Sequence, residues 1–146
     1  MANQMPFVLS PLKNKYMKKA VIFDSWGVLQ DGQGPNTALI EIVKILKEKG
    51  LLLFVLSNAN ETQAAENEPV TSTFKDLFTK FYYSFETGFH KPEPGAFTVI
   101  LKENALSPEE CVYFDDSMEN VDAANSLGIE SYFYTGHELV REKLTI

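Results

Sequence analysis

Four small groups of polar residues in this 146-residue chain have types and positions that could do chemistry. Asp24 closes the apolar run Ala20–Asp24 (AVIFD), and Ser57 and Asn58 follow a second run, Leu51–Leu56 (LLLFVL). Lys91 follows a weaker third run, Phe81–Phe85 (FYYSF), after a short loop. Asp115 and Asp116 end a fourth, Cys111–Asp115 (CVYFD). Carboxylates gathered in one place repel each other unless a cation neutralises them. Ligands that are all oxygen select a hard ion such as Mg²⁺. A lysine and a hydroxyl beside them suit a phosphoryl group, whose oxygens need positive charge and donors. A carboxylate facing that group can attack it and form an aspartyl-phosphate.

These residues converge only if the apolar runs are neighbouring parallel strands. The first two runs are apolar almost throughout, as strands buried on both faces of a sheet must be. A fifth run, Ile129–Tyr134 (IESYFY), completes the set. Helix-period segments alternate with them. Thr37–Lys49 carries Leu39, Ile42, Val43, Ile45 and Leu46 on one stripe and stops at Gly50. Further helices are predicted over Pro69–Lys80, Pro94–Asn104, Ser117–Leu127 and Gly136–Leu144, while polar Asn60–Glu68 reads as a loop or a frayed helix start. Strands alternating with helices give right-handed βαβ units and an α/β fold with a parallel sheet. Ligands then bind at the carboxyl ends of the strands, where all four polar groups lie.

Composition sets the outer limits. Hydrophobic residues make up 45% and charged residues 23%, enough for one core domain at this length. With 20 acidic and 13 basic residues the net charge is −7, which argues against nucleic acid or an anionic membrane as partner. The single cysteine, Cys111, excludes an internal disulfide and reads as a core residue. His90 and His137 are too few for a histidine-dominated metal site, and His90 reads as a solvated loop residue. No run reaches the ~18 apolar residues of a membrane span. Met1–Pro11 lacks the plan of a signal peptide, so a cytoplasmic location is expected. Residues 1–18, with Pro6, Pro11 and a basic patch of Lys13, Lys15 and Lys18 that continues into Lys19, stand outside the strand–helix pattern and are read as a solvated lead-in arm, or else a short helix packed on the sheet, before a core over 19–146.

The segments FDSWGVL (Phe23–Leu29), VLSNAN (Val55–Asn60), HKPEPGAF (His90–Phe97) and VYFDDSMENVDAANSLGI (Val112–Ile129) resemble, in order, the four motifs of the haloacid dehalogenase-like (HAD) hydrolases. The likeness runs from Lys19 to Tyr134 and is greatest to the subgroup that includes α-D-glucose-1-phosphate phosphatase. The resemblance implies a three-layer Rossmann-like sandwich with five parallel strands in the order 5-4-1-2-3. It implies Asp24 as nucleophile and Mg²⁺ ligand, and the Trp26 backbone carbonyl as a second ligand. Asp116 would bind the metal directly and Asp115 through water. The Ser57 hydroxyl and the Asn58 backbone N–H would bind the phosphoryl group, Lys91 would bridge its oxygens to Asp24, and Asn120 would orient the Asp115–Asp116 loop.

Two features depart from the family pattern. Most phosphatases of the family carry an acid/base aspartate two residues after the nucleophile, and here that residue is Trp26. Indole has no titratable proton to give, and an acid/base group is worth about 10²–10⁴-fold in rate. Trp26 is expected to wall or plug the site, with Asp31 a speculative substitute whose DGQG setting reads as a turn. The second departure is the short connections after Asp24 and Asn60, which leave no room for a cap domain. The site should be open to a phosphorylated small molecule or a macromolecular substrate, or be closed by a second copy of the chain through Phe81, Tyr82 or Phe89. The sequence therefore predicts a Mg²⁺-dependent phosphohydrolase slowed by Trp26. The alternative is a degenerate domain that binds a metal and a phosphorylated ligand or a protein partner without turnover. Dehalogenation is a distant third, since the Asp115–Asp116 pair signals a metal.

Overall fold

The computed structural model describes residues 17–146. Its sheet is five parallel strands: β1 (Ala20–Phe23), β2 (Leu52–Ser57), β3 (Lys80–Tyr83), β4 (Cys111–Asp115) and β5 (Glu130–Phe133), in the order β3-β2-β1-β4-β5. That is the expected order, read from the opposite edge. The helices are α1 (Thr37–Glu48), α2 (Glu61–Thr71), a single turn α3 (Ser84–Thr87), α4 (Pro94–Glu103), α5 (Met118–Ser126) and α6 (His137–Leu144). No helix of the described residues is long and apolar enough to cross a membrane.

Alternation along β1 produces the three layers. Val21 and Phe23 face a core shared with Leu39, Val43, Leu46 and Val140 of α1 and α6. Ala20 and Ile22 face a second core with Phe97 and Ile100 of α4 and Ala124 of α5. Successive strand residues point to opposite faces, so a central strand with both faces covered must be apolar throughout. Phe23 stacks on Phe114 of the adjacent β4 at 5.7 Å between ring centroids. Cys111 is buried at the start of β4.

The structure corrects several sequence expectations. Of the two readings of Asn60–Glu68, a loop or a frayed helix start, the structure has the second, since the segment begins helix α2, and the helix predicted over Pro69–Lys80 is absent. Its place is taken by the end of α2, a 3₁₀ turn (Lys75–Leu77) and the start of β3. Capping rather than burial explains the shift. The Asn60 side chain accepts from the Gln63 amide while the Gln63 side chain accepts from the Asn60 amide, a reciprocal capping box. Glu61 adds a carboxylate to the first turn. Only Thr71 of α2 is buried, so the apolar periodicity on which the prediction relied is missing. Phe74 and Phe78 are core residues of the irregular segment that follows. β3 ends at Tyr83 and not Phe85, because Ser84 opens a helical turn.

Phe81 and Tyr82 are buried, so of the three aromatics named for a subunit contact only Phe89 is exposed. The expected arm lies outside the described residues except for its last two, Met17 and Lys18. Lys18 is not solvated: its ammonium is 3.1 Å from Glu130 and donates to the Glu109 carbonyl at 2.8 Å. Lys19 pairs with Glu110 at 2.7 Å. Both potential cap positions hold only short structure, a loop between β1 and α1, and α2 with its 3₁₀ turn between β2 and β3.

Because α2 is held by its cap more than by its packing, Asn60→Ala should weaken it by about 1 kcal/mol. Amide hydrogen exchange should then speed up across α2 and stay unchanged in β1 and β4. Equal acceleration in the central strands would contradict this reading of the helix.

Candidate active site

The register of the sheet brings the sequence-predicted residues together. Phe23 lies opposite Phe114, so Asp24, the next residue, comes level with Asp115, and its amide donates to the Phe114 carbonyl at 3.0 Å. On the other side Phe23 pairs with Val55, which places Ser57 near the same edge. Lys91 reaches this edge from the loop after α3. Its ammonium donates to Asp24 Oδ1 at 2.8 Å, to the Leu56 carbonyl at 2.8 Å and to Asp115 Oδ2 at 3.1 Å. One lysine nitrogen thus joins β1, β2 and β4.

Neighbouring side chains hold this lysine and its partners in place. The Asn58 side chain accepts from the Lys91 amide at 2.8 Å and donates to the Lys91 carbonyl at 2.9 Å. Ser84, buried at the end of β3, both accepts from the Ala59 amide and donates to the Ala59 carbonyl. Asp115 accepts from the Ser117 amide at 2.9 Å, the Asn120 side chain at 3.1 Å, Lys91 and the Tyr113 hydroxyl. Asn120 therefore touches the loop that it was expected to orient. The side-chain function of Asn58 and the contributions of Ser84 and Tyr113 were not foreseen. Tyr113 carried one available signal, since it lies two residues before Asp115 and on the same strand face.

Asp24, Asp115 and Asp116 each offer a carboxylate oxygen within 4.8 Å of the others. Asp115 is buried and saturated with donors, whereas Asp116 is exposed and accepts no hydrogen bond from a described residue. Gly27 is needed beside it. Its φ is +85°, and a Cβ there would lie 2.1 Å from Asp116 Oδ2. The Ser25 carbonyl takes the amides of Val28, Leu29 and Gln30, and none of the turn's amides bonds to the Trp26 carbonyl. Three carboxylates face one ammonium, and the donors are all oxygen, which fits a hard divalent cation.

Two of the expected side candidates lie elsewhere. Asp31 is exposed in a turn and accepts from the Gln33 amide, which is its structural function. His90 is exposed; its amide donates to the Glu93 side chain and its carbonyl accepts from the Glu93 amide, while its imidazole makes no hydrogen bond to a described residue. Trp26 does not plug the site. It is 55% exposed beside Ser57, its ring edge against Gly32.

The charge imbalance has a titration signature. Burial, the largest cause, and the nearby Asp115 and Asp116 charges push Asp24 up to about 7 against the pull of Lys91. Asp115 is also raised by burial, but Lys91, Tyr113 and Asn120 outweigh this and hold it below its ordinary value. Burial and the Asp115 charge raise the Tyr113 hydroxyl, which keeps it a donor. In the unfolded chain Asp24 ionises at about 3.8, so its contribution to metal-free stability is lost as pH rises towards about 7. In EDTA at pH 8, Asp24→Asn should therefore melt above the unsubstituted chain, and the gap should narrow steadily below pH 7 and close near pH 4. A variant that melts at or below the unsubstituted chain at pH 8 would contradict this.

Comparison with known proteins places the chain in one family. The model of the haloacid dehalogenase-like hydrolase family matches residues 35–128, well over half of the chain, and begins beyond Asp24. A D-ribitol-5-phosphate phosphatase from Bacteroides thetaiotaomicron is 29% identical over 64% of this chain and 44% of its own length. A phosphorylated carbohydrates phosphatase from Thermotoga maritima is 25% identical over 92% of this chain and 64% of its own. The chain thus spans about half the length of the curated relatives it matches. A HAD family enzyme from B. thetaiotaomicron, solved in complex with magnesium and inorganic phosphate, superposes with a TM-score of 0.68 at 21% identity, over 79% of this chain and 93% of that one. At that identity the likeness is one of fold. With a matching family model, the family's strand order and a carboxylate–lysine cluster at the carboxyl edge of the sheet, the chain belongs to the haloacid dehalogenase-like hydrolases.

Proposed function

We infer that the chain is a Mg²⁺-dependent phosphomonoester phosphohydrolase that works through an aspartyl-phosphate on Asp24. The observation that carries this reading is the Lys91 ammonium, 2.8 Å from Asp24 Oδ1 and 3.1 Å from Asp115 Oδ2, where strand ends also deliver Ser57 and Asp116. The phosphatase relatives support the reaction class. The motif likeness to the glucose-1-phosphate phosphatase subgroup supports a sugar monophosphate as substrate.

Asp24, Asp116 and the Trp26 carbonyl would hold Mg²⁺, with Asp115 behind them and joined through water. When bound, the ion neutralises charge on the carboxylates and on the phosphoryl oxygens. The remaining steps belong to the chain. Ser57 and the Asn58 amide donate to phosphoryl oxygens, and Lys91 holds Asp24 in line while balancing its charge. Asp24 attacks phosphorus, and the bond to the leaving oxygen breaks with its electron pair on that oxygen. Water supplies the proton there, because Trp26 has none to give. A second water then attacks the aspartyl-phosphate at phosphorus, the P–O bond to Asp24 breaks, and the proton that this water loses neutralises the hydroxide left by the first, so that Asp24 is returned and inorganic phosphate released. The site's side chains bear on phosphorus rather than on the leaving group, so substrates with good leaving groups should react fastest.

A second reading, a domain that binds a phosphorylated ligand or a protein partner without turnover, is favoured by Trp26 and by the short connections at both potential cap positions. Phosphate release from an aryl phosphate with Mg²⁺ separates the two. The chain should release phosphate slowly, Asp24→Asn should abolish release, and Trp26→Asp should raise it by about 10²–10⁴-fold. Silence in the unsubstituted chain with release appearing in Trp26→Asp would establish the binding reading. Silence in both would refute the phosphohydrolase.

A further inference from the structure

Six large hydrophobic side chains are exposed among the described residues, and five of them lie at the carboxyl edge of the sheet. Trp26 follows β1, Phe85 and Phe89 follow β3, Met118 follows β4, and Phe133 ends β5. Two of the rings are seated on glycine. A Cβ at Gly32 would lie 2.4 Å from the Trp26 ring, and one at Gly95 would lie 2.3 Å from the Phe89 ring. Rings held on one side and open on the other present ordered apolar faces, which lose little entropy on binding. Neighbouring strands are ~4.8 Å apart, so the five strand ends span about 19 Å, the length of about six extended residues. A polypeptide segment matches that span, and a small monophosphate does not.

The same edge is acidic. The connections that leave the strand ends are 24–36, 58–63, 84–93, 116–119 and 134–138. They hold one lysine and no arginine, and that lysine is the buried Lys91. Asp31, Glu61, Glu86, Glu93 and Glu119 are exposed there. Glu61, Glu86 and Glu119 form no ion pair with a described residue, whereas Lys44, Lys75 and Lys80 away from this edge each pair with a carboxylate. A site that attacks a phosphate from within an acidic rim favours a phosphate whose surroundings are cationic.

The leaving group carries the remaining constraint. Trp26 has no proton to donate, so the leaving oxygen must depart as an anion. A phenol ionises at ~10, whereas an aliphatic hydroxyl lies nearer the ~15.7 of water. A phenolate therefore leaves far more readily. The Trp26 indole beside Ser57 also offers a phenyl ring a stacking face.

We propose that the site takes a further class of substrate, a phosphotyrosyl residue within a basic polypeptide segment docked along this edge. The proposal rests on the phosphohydrolase reading above. The phenyl ring lies on the Trp26 indole and its phosphate reaches Asp24. Asp24 attacks phosphorus, and the P–O bond to the ring breaks with its electron pair on the phenolate oxygen. That oxygen takes its proton from water after it has left. Basic side chains of the segment meet Glu61, Glu86 and Glu119, and its apolar side chains cover Phe85 and Phe89.

Phosphate release from synthetic peptides tests this with the full chain and Mg²⁺. The three peptides are a phosphotyrosine flanked by arginine and leucine, a phosphotyrosine flanked by glutamate, and a phosphoserine in the arginine and leucine flanks. 4-Nitrophenyl phosphate reports the site itself. The basic phosphotyrosyl peptide should have a kcat/KM at least about tenfold above either other peptide, and high salt should erase its lead over the glutamate one. Glu61→Gln, Glu86→Gln and Glu119→Gln combined should raise its KM about tenfold and leave 4-nitrophenyl phosphate unchanged. Equal turnover of basic and acidic phosphotyrosyl peptides, faster turnover of the phosphoserine peptide, or a triple variant that slows every substrate alike would overturn the proposal and leave the phosphohydrolase standing. So would a stable dimer in solution that Phe89→Asp dissociates, since a second copy would then occupy the edge. No release from 4-nitrophenyl phosphate would overturn both.

Discussion

The Lys91 ammonium between Asp24 and Asp115 is the contact on which the rest of the site depends. It is buried, and it brings three strand ends to within hydrogen-bond reach of one nitrogen. Removing the lysine would leave Asp24 and Asp115 buried without compensation, a loss that typically costs about 3–5 kcal/mol, whereas neutralising Asp24 leaves Lys91 still paired with Asp115. The surrounding polar residues hold this arrangement steady. Asn58 grips the lysine's backbone on both sides, Ser84 fixes the adjoining Ala59 peptide, and Tyr113 and Asn120 hold Asp115. The parallel register supplies the coarse alignment, and these hydrogen bonds supply the fine one.

The same contact leaves the site short of positive charge. One ammonium cannot balance Asp24, Asp115 and Asp116, and burial makes the deficit expensive at Asp24. A divalent cation would resolve it with oxygen ligands alone. On the proposed reading, the chain differs from the family pattern where the leaving group would lie. Trp26 stands two residues after Asp24, where the family resemblance implies an acid/base aspartate, and the connection from β2 to β3 holds only α2 and a 3₁₀ turn. Both changes affect the leaving-group side and spare the phosphoryl side. This fits a hydrolase that retains attack at phosphorus and gives up proton donation.

Most of the site was legible in the sequence because its residues follow apolar runs. β1, β2 and β4 are so uniformly apolar that only buried central strands fit them, and the site residues close those runs. Asp24, Ser57, Lys91, Asp115 and Asp116 were located on that logic. The capping box of α2 was less visible, since it stabilises a helix with almost no apolar periodicity, and Pro69 pointed to a helix start where the helix in fact nears its end. Ser84 and the Asn58 side chain were invisible for another reason. Their partners are backbone atoms far away in sequence, and no local pattern encodes such pairings.

The account's central claim is that the carboxylate cluster around Lys91 is built to hold one divalent cation. Calorimetric titration of Mg²⁺ into the chain between pH 5 and pH 8, in buffers of different ionisation enthalpy, tests it most directly. The account predicts one ion per chain, with affinity falling and protons released on binding as pH drops below about 7, the value at which Asp24 ionises in the metal-free protein. It predicts that Asp24→Asn removes the binding. No Mg²⁺ binding at pH 8, or binding unaffected by both pH and Asp24→Asn, would contradict it.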